Sequence, residues 1–268
     1  MNYANLPDQY SSPESPVHII PVPHEGNVTY GEGAKNGPQH ILKASQHIEY
    51  YDLETKTEPF QHGIHTQQPI HQHISDTLKT RPSSNLAVYL GGDHSTTIHT
   101  HKHHAIDTVI LDAHADLRYS WKESTKNHAC VTRRIQTNHE VLLDGVRALD
   151  QDEHSYAEQR DNLHLLTKKH SSLTAFTSRL NQLKDTVYLS IDVDALDPSV
   201  IAHTGTPEPD GYTYRELLTR IHTVFKHKDV VAVDIVEFAP HKETPQTRAE
   251  AYTLAKLIYT IIAYHHGK

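Results

Sequence analysis

Three short segments rich in aspartate and histidine hold the chemistry available to this chain. They are Gly91-Gly92-Asp93-His94-Ser95, Asp112-Ala113-His114-Ala115-Asp116 and Ser190-Ile191-Asp192-Val193-Asp194-Ala195-Leu196-Asp197-Pro198. Each follows a largely apolar run, Leu86–Leu90, Thr108–Leu111 and Val187–Leu189 respectively. Side chains on a strand alternate faces, so residues two apart point the same way. Asp112, His114 and Asp116 can therefore converge on one point, as can Asp192 and Asp194. With His94 they make six candidate ligands, four carboxylates and two imidazoles. One divalent ion needs fewer, so the set suggests two metals sharing bridging carboxylates. Hard oxygen donors with some imidazole suit manganese better than zinc, which favours thiolate and imidazole. An isolated Asp-x-His is often a solvated turn. Here the acids end buried-looking strands, where a carboxylate without a counter-charge is costly.

The elements that must position these groups alternate along the chain. The strand-like segments are Val17–Val22, Leu86–Leu90, Thr108–Asp112, Val141–Val146, Leu163–Leu166, Thr186–Asp192 and Val230–Val236. Helices are expected over Pro38–Tyr51, Ile70–Thr80, Ala129–Asn138, Gln151–Arg160, Ser171–Leu183, Thr213–His227 and Thr247–His265. Leu217, Leu218, Ile221, Val224 and Phe225 form a helical apolar stripe that reads as packing. Alternating strands and helices argue for an α/β protein with a mainly parallel sheet covered on both faces. In such sheets, ligands gather beyond the carboxyl ends of the strands, where all three acidic motifs fall. Residues 1–16 hold three prolines and few apolar anchors, which suggests a loosely ordered start to a single domain spanning 1–268.

Composition narrows the class further. A net charge of −8 over 268 residues gives no reason to expect nucleic-acid binding. The single cysteine, Cys130, rules out an internal disulfide framework and fits a reducing compartment. No basic-then-apolar leader opens the chain, and no apolar run approaches the ~20 residues of a membrane span. A soluble, cytoplasmic protein without a membrane partner is expected. The 25 histidines are scattered, as in His71-Gln72-His73 and His265-His266, and read mainly as a histidine-rich surface. His101, His103 and His104 could bind metal adventitiously. Such a chain gains positive charge as pH falls through about 6.5, the free imidazole pKa.

The three motifs together resemble the signatures of the ureohydrolase (arginase/agmatinase) family. The resemblance runs along almost the whole chain. It includes Gly37-Pro38-Gln39-His40-Ile41, Thr204-Gly205-Thr206-Pro207-Glu208-Pro209 and Asp234-Ile235-Val236-Glu237-Phe238-Ala239-Pro240. It implies a three-layer α/β/α sandwich that binds two Mn²⁺ ions. By motif position, His94, Asp112, Asp116 and Asp192 would hold one ion. Asp112, His114, Asp192 and Asp194 would hold the other, with Asp112 and Asp192 bridging. Asp93 and Asp197 read as structural turn residues. The family also implies a homo-oligomer, a trimer or hexamer.

The implied reaction is hydrolysis of a guanidinium group to urea and a primary amine. Guanidinium is a resonance-stabilised, poor electrophile, and a hydroxide shared by two metals is a stronger nucleophile than water. Asp116 could relay a proton to the leaving nitrogen. Glu237 could clamp the guanidinium bidentately, or merely end its strand. His128, in Asn127-His128-Ala129-Cys130-Val131, resembles the family's proton-shuttle histidine, a role suited to a near-neutral pKa. Cys130 reads as an apolar packing residue.

The segment His128-Ala129-Cys130-Val131-Thr132-Arg133-Arg134-Ile135 is more similar to agmatinases than to arginases, which tend to carry His-Gly-x-Pro there. Leu117-Arg118 also replaces the Asn with which arginases recognise a substrate carboxylate. Agmatine, yielding putrescine and urea, is therefore the first candidate substrate. Asp150 could meet the amine end of agmatine or cap the following helix. Arg118 could instead attract the carboxylate of arginine or another guanidino acid, as in guanidinobutyrase. The loop from Asp116 to His128 is shorter than in many agmatinases. Two readings of other classes are a metal-binding pseudoenzyme and a zinc amidohydrolase of the deacetylase type. The second would need fewer ligands and no Glu237.

Overall fold

The computed structural model describes residues 1–26, 30–80 and 84–267. Eight strands form one sheet: β1 (Val17–Val22), β2 (Ile64–Thr66), β3 (Leu86–Gly91), β4 (Asp107–Leu111), β5 (Val141–Val146), β6 (Leu163–Thr167), β7 (Thr186–Asp192) and β8 (Asp229–Val236). Their order is β2-β1-β3-β8-β7-β4-β5-β6, and every pairing is parallel. The helices are α1 (Gly37–Ser45), α2 (Ile74–Lys79), α3 (Ser95–His104), α4 (Val131–Ile135), α5 (Gln151–Glu158), α6 (Leu173–Leu180), α7 (Tyr214–His227) and α8 (Pro245–His266).

Strand alternation builds the layers. Leu86, Val88 and Leu90 of β3 share one core with Val187, Leu189 and Ile191 of β7 and with residues of α1, α6, α7 and α8. Ala87, Tyr89 and Tyr188 turn to the other face, which packs with Ile74 and Leu78 of α2. Ile110, Val141 and Leu143 also face that side, against Val131 and Ile135 of α4. Both faces of the sheet are covered, as a parallel sheet requires, and the α/β expectation holds. The α7 stripe is buried as its spacing predicts. Capping boxes start α5 at Asp150 and Glu153, and α7 at Thr213 and Glu216.

Four expectations need correction. β2 is three residues long, too short to show an alternating pattern. Helix α3 has no apolar stripe to announce it: its buried positions include Thr96, Thr97 and Thr100, and its packing relies on hydroxyl hydrogen bonds. The helix expected over Ile70–Thr80 begins only at Ile74, because the Ile70 N–H donates to Pro21 O at 2.9 Å and ties that stretch to the end of β1. The opening residues are packed rather than loose. Tyr3, Ala4 and Leu6 are buried. The Tyr3 hydroxyl donates to Ala255 O at 2.5 Å, and the Tyr3 N–H donates to Thr66 Oγ1 at 2.8 Å. Among the described residues no helix is long and apolar enough to cross a membrane.

Removing a buried aromatic side chain leaves a cavity that costs about 3–5 kcal/mol. Tyr3→Ala should lower the unfolding free energy by that amount in urea titrations. A loss within ~0.5 kcal/mol, the range of an ordinary surface substitution, would show that the segment does not anchor the fold.

Candidate metal centre and active site

The strands that carry the motifs are neighbours in the sheet. β3, β8, β7 and β4 lie side by side at its centre, so segments scattered over 150 residues of sequence deliver their ends to one place. β3 leads through Gly91-Gly92-Asp93 to His94. At Gly92 a Cβ would meet His24 O at 1.8 Å, so only glycine fits this turn. Asp93 fixes it: Oδ1 accepts the Ser95 N–H at 3.0 Å, and Oδ2 accepts the Gly26 N–H at 2.5 Å. Asp197 does the same work after β7, accepting from the Ser199 and Gly211 N–H groups.

The six predicted ligands come together. His94 Nδ1 lies 3.1 Å from Asp112 Oδ2, 3.2 Å from Asp116 Oδ2 and 3.2 Å from Asp192 Oδ2. His114 Nδ1 lies 2.9 Å from Asp194 Oδ2 and 3.8 Å from Asp112 Oδ1. Two groups therefore have metal-ligand spacing: His94, Asp112 and Asp192, and Asp112, His114 and Asp194. Asp112 belongs to both. Asp192, expected to bridge as well, falls in the first group alone, and its Oδ1 accepts the Asp194 N–H at 2.9 Å. Asp112 Oδ1 likewise accepts the His114 N–H at 2.7 Å.

The donor set fits divalent ions. His94 Nδ1 and Asp112 Oδ2 are buried without a hydrogen-bond partner, although buried polar atoms are normally satisfied. Burial, then the neighbouring Asp194 and Asp116, push the Asp112 carboxyl up to about 7. Burial also opposes charge on His114, yet Asp194 and Asp112 outweigh it and hold the imidazole at about 11. In return His114 overcomes the burial of Asp194 and brings it down to about 2. Crowded acids offset by protonated imidazoles are an environment that suits cations.

Glu237 follows β8, with its backbone in the left-handed region at φ +66° and its N–H donating to Gly92 O at 2.8 Å. Asp116 is also left-handed, at φ +51°. Non-glycine residues rarely adopt this conformation, and such strain gathers at functional sites. Glu237 Oε1 accepts the His94 N–H at 2.7 Å and faces His128 Nδ1 at 3.2 Å. His128 opens a short 3-10 turn, His128–Cys130, that replaces the first turn of the expected helix and is capped by the Asn127 side chain. Burial works against the His128 cation, but Glu237 more than compensates and raises it to about 9, well above the near-neutral value expected. Cys130 is buried, and burial pushes its thiol up.

A cavity of about 310 Å³ opens over the cluster, lined by His114, Asp116, His128 and Glu237 on its floor and by Arg118 and Asp150 further out. A larger depression of about 800 Å³, beside Glu54, His222 and Tyr264, contains none of the motif residues. Arg118 and Asp150 pair with each other at 2.9 Å, and Arg118 stacks over Trp121 at 4.5 Å. Asp150 also caps α5, its Oδ1 accepting the Glu153 N–H at 2.9 Å, which is one of its two anticipated uses, while its Oδ2 pairs with Arg118 rather than standing free for a substrate amine. Sequence reasoning missed Trp121 and Glu153. Glu153 had a readable signal as the third residue of a capping box, and it ties the loop after Asp116 to α5 through the Leu117 N–H at 2.9 Å. Of the three α3 histidines considered for metal, His103 is exposed and in no metal-spaced group among the described residues, and His101 and His104 are packing groups. His101 Nε2 donates to Ile106 O at 2.7 Å, and burial brings both His101 and His104 to about 4. Neither joins a metal-spaced group among the described residues.

In the metal-free protein the raised Asp112 carboxyl binds more protons folded than unfolded, so its contribution to stability falls as pH rises from about 4 to about 7. Added Mn²⁺ must displace that proton. The gain in Tm on adding Mn²⁺ to chelator-treated protein should therefore grow across this window; a gain independent of pH would contradict the electrostatic account.

Comparison with known proteins agrees with this architecture. Residues 15–263 match the model of the arginase family. The chain is 35% identical to the N(1)-aminopropylagmatine ureohydrolase of Thermus thermophilus, covering 93% of this chain and 90% of that protein. It is 32% identical to the agmatinase of Pyrococcus horikoshii, covering 91% and 90%. The solved agmatine ureohydrolase of Thermoplasma volcanium has the same fold, with a TM-score of 0.82 at 24% identity over 95% of this chain and 91% of that one. With its motifs on adjacent strand ends and its match spanning nearly the whole sequence, the chain belongs to the arginase family.

Proposed function

We propose that the protein hydrolyses the guanidinium group of an amine-terminated guanidine, with agmatine the simplest substrate and putrescine and urea the products. The observation that carries this reading is the meeting of two metal-spaced His/Asp groups with Glu237 and His128 around one cavity. By the family resemblance, His94, Asp112, Asp116 and Asp192 would hold one Mn²⁺, and Asp112, His114, Asp192 and Asp194 the other, although in the present geometry Asp192 groups with the first set alone. When bound, the ions would supply a water of lowered pKa beside the substrate carbon.

The chain's own residues do the rest. Glu237 pairs with the guanidinium and orients its carbon towards the nucleophile. The water oxygen bonds to that carbon, and Asp116, on the cavity floor, takes the released proton. The tetrahedral intermediate collapses by breaking the bond from carbon to the substituted nitrogen. That nitrogen leaves with the proton relayed by Asp116; His128, cationic at neutral pH, gives it the second and is reprotonated by the proton that the intermediate's hydroxyl releases as the C=O of urea forms. Urea and an ammonium group result, so one guanidinium and one water are consumed.

The cavity wall selects the tail. Among the described lining residues Arg118 is the one guanidinium, and Asp150 already pairs it. A carboxylate tail, as in arginine or 4-guanidinobutyrate, has no unpaired Arg or Lys to meet there. With Arg118 and Asp150 offsetting each other, Glu153 tips this wall towards negative charge and favours a cationic tail. Several relatives are N(1)-aminopropylagmatine ureohydrolases, and the second amine of that longer guanidine would also suit an acidic wall. A homo-oligomer is part of the same reading and rests on the family resemblance, while a cytoplasmic location rests on the single cysteine, which fits a reducing compartment.

Urea release from Mn²⁺-loaded protein should be fast with agmatine or N(1)-aminopropylagmatine and slow with L-arginine and 4-guanidinobutyrate. A preference for the acids would overturn the assignment of the tail. Asp150→Asn frees Arg118 while keeping a helix cap, and should shift kcat/KM from the amines towards 4-guanidinobutyrate. Glu237→Gln should keep its metal yet lose at least about 10-fold in kcat/KM, the loss expected when a charged hydrogen bond worth ~1.5–3 kcal/mol is removed. Full turnover in that variant would sink the clamp.

A further inference from the structure

Behind the metal-facing side of His94 lies a chain of hydroxyls that no role above requires. Ser190 Oγ lies 3.0 Å from His94 Nε2 and donates to Asp234 Oδ1 at 2.6 Å. Asp234 is wholly buried. Its Oδ2 accepts from Thr97 Oγ1 at 2.7 Å and from the Tyr188 hydroxyl at 2.8 Å. The Tyr188 proton is thereby committed, so Tyr188 accepts from Thr100 Oγ1, also at 2.8 Å. Three elements build this arrangement. Ser190 and Asp234 are paired across β7 and β8, Tyr188 shares the strand face of Ser190, and Thr97 and Thr100 lie one turn apart on α3.

For the neutral imidazole that metal ligation requires, the proton count fixes a tautomer. An ionised carboxylate only accepts, so Ser190 must give Asp234 its single proton. Ser190 then has only lone pairs for His94, and His94 Nε2 must carry the hydrogen. That leaves the lone pair on Nδ1, the buried and unpartnered atom that faces Asp112, Asp116 and Asp192. A histidine that ligates through one nitrogen is oriented, and made more basic, by an acceptor on the other.

We propose that Ser190 and Asp234 form a positioning relay that holds His94 in its metal-ligating tautomer and orientation. The proposal rests on the metal reading above. It gives α3 a purpose: Thr97 saturates the buried carboxylate at the far end of the relay, and Thr100 supports it through Tyr188.

The test is Mn²⁺ affinity, read from the electron paramagnetic resonance of free Mn²⁺ during titration of the metal-free protein. Ser190→Ala should weaken one of the two ions about 10- to 100-fold and leave the other. Asp234→Asn, which keeps the volume of the side chain, should do the same, and it is the variant to read if Ser190→Ala does not fold. The double variant should be no weaker than the more impaired single, because the two residues act as one unit. Thr97→Val removes a hydroxyl from Asp234 without touching Ser190, so it should lower the metal-free Tm but leave Mn²⁺ affinity unchanged. Unchanged affinity in both Ser190→Ala and Asp234→Asn would overturn the relay while leaving the metal site intact. Equal loss of affinity in Thr97→Val would reduce the network to a structural role. If the unaltered protein bound no Mn²⁺, the metal reading would fall and the relay with it.

Discussion

Four carboxylates, those of Asp112, Asp116, Asp192 and Asp194, are buried within a few ångströms of one another, and their mutual repulsion is the constraint around which the molecule is organised. No fold would bring them together for stability alone, since unpaired buried charge is among the most expensive things a protein can contain. Two imidazoles offset part of this cost by drawing in protons. The remainder calls for cations. The parallel sheet makes the assembly possible by aiming four strand ends at one point, with the order β3-β8-β7-β4 joining sequence segments that lie far apart.

Holding such a cluster requires a stiff frame. Arg147, just beyond β5, supplies part of it. Its guanidinium donates to the backbone oxygens of Asp194, Glu208 and Pro209, so the loop carrying Asp194 after β7 is fixed to the end of β5, across the intervening β4. Glu153 plays the corresponding part for the loop after Asp116, accepting from the Leu117 and Asp150 N–H groups. The Arg118–Asp150 pair then rests on that same α5 terminus. The wall that faces the substrate tail is therefore attached to the scaffold that positions the metal ligands, which couples substrate selection to the integrity of the centre.

The ligand set was legible in the sequence because Asp-x-His-x-Asp and Asp-x-Asp after apolar runs carry both a chemistry and a geometry. The sheet was legible for a related reason: strands buried on both faces read as continuous apolar segments. What remained hidden was polar. Helix α3 could not be seen because its buried face is made of threonines whose partners, Asp234 and Tyr188, come from distant strands. The packing of the first six residues depends on Thr66, Ser45 and Ala255, none of them near in sequence. The pairing of Arg118 with Asp150 was equally invisible, since each residue taken alone looked free to meet substrate. Hydrogen bonds and ion pairs between distant residues leave no periodic trace along a chain, whereas apolar burial does.

The most direct measurement is X-ray diffraction from crystals soaked in Mn²⁺, with anomalous scattering recorded on both sides of the manganese absorption edge. The account predicts two anomalous peaks at the carboxyl ends of β4 and β7, with Asp112 between them, His94 on one and His114 on the other. A single peak there, or none, would contradict a two-metal centre and leave the buried carboxylates without their explanation.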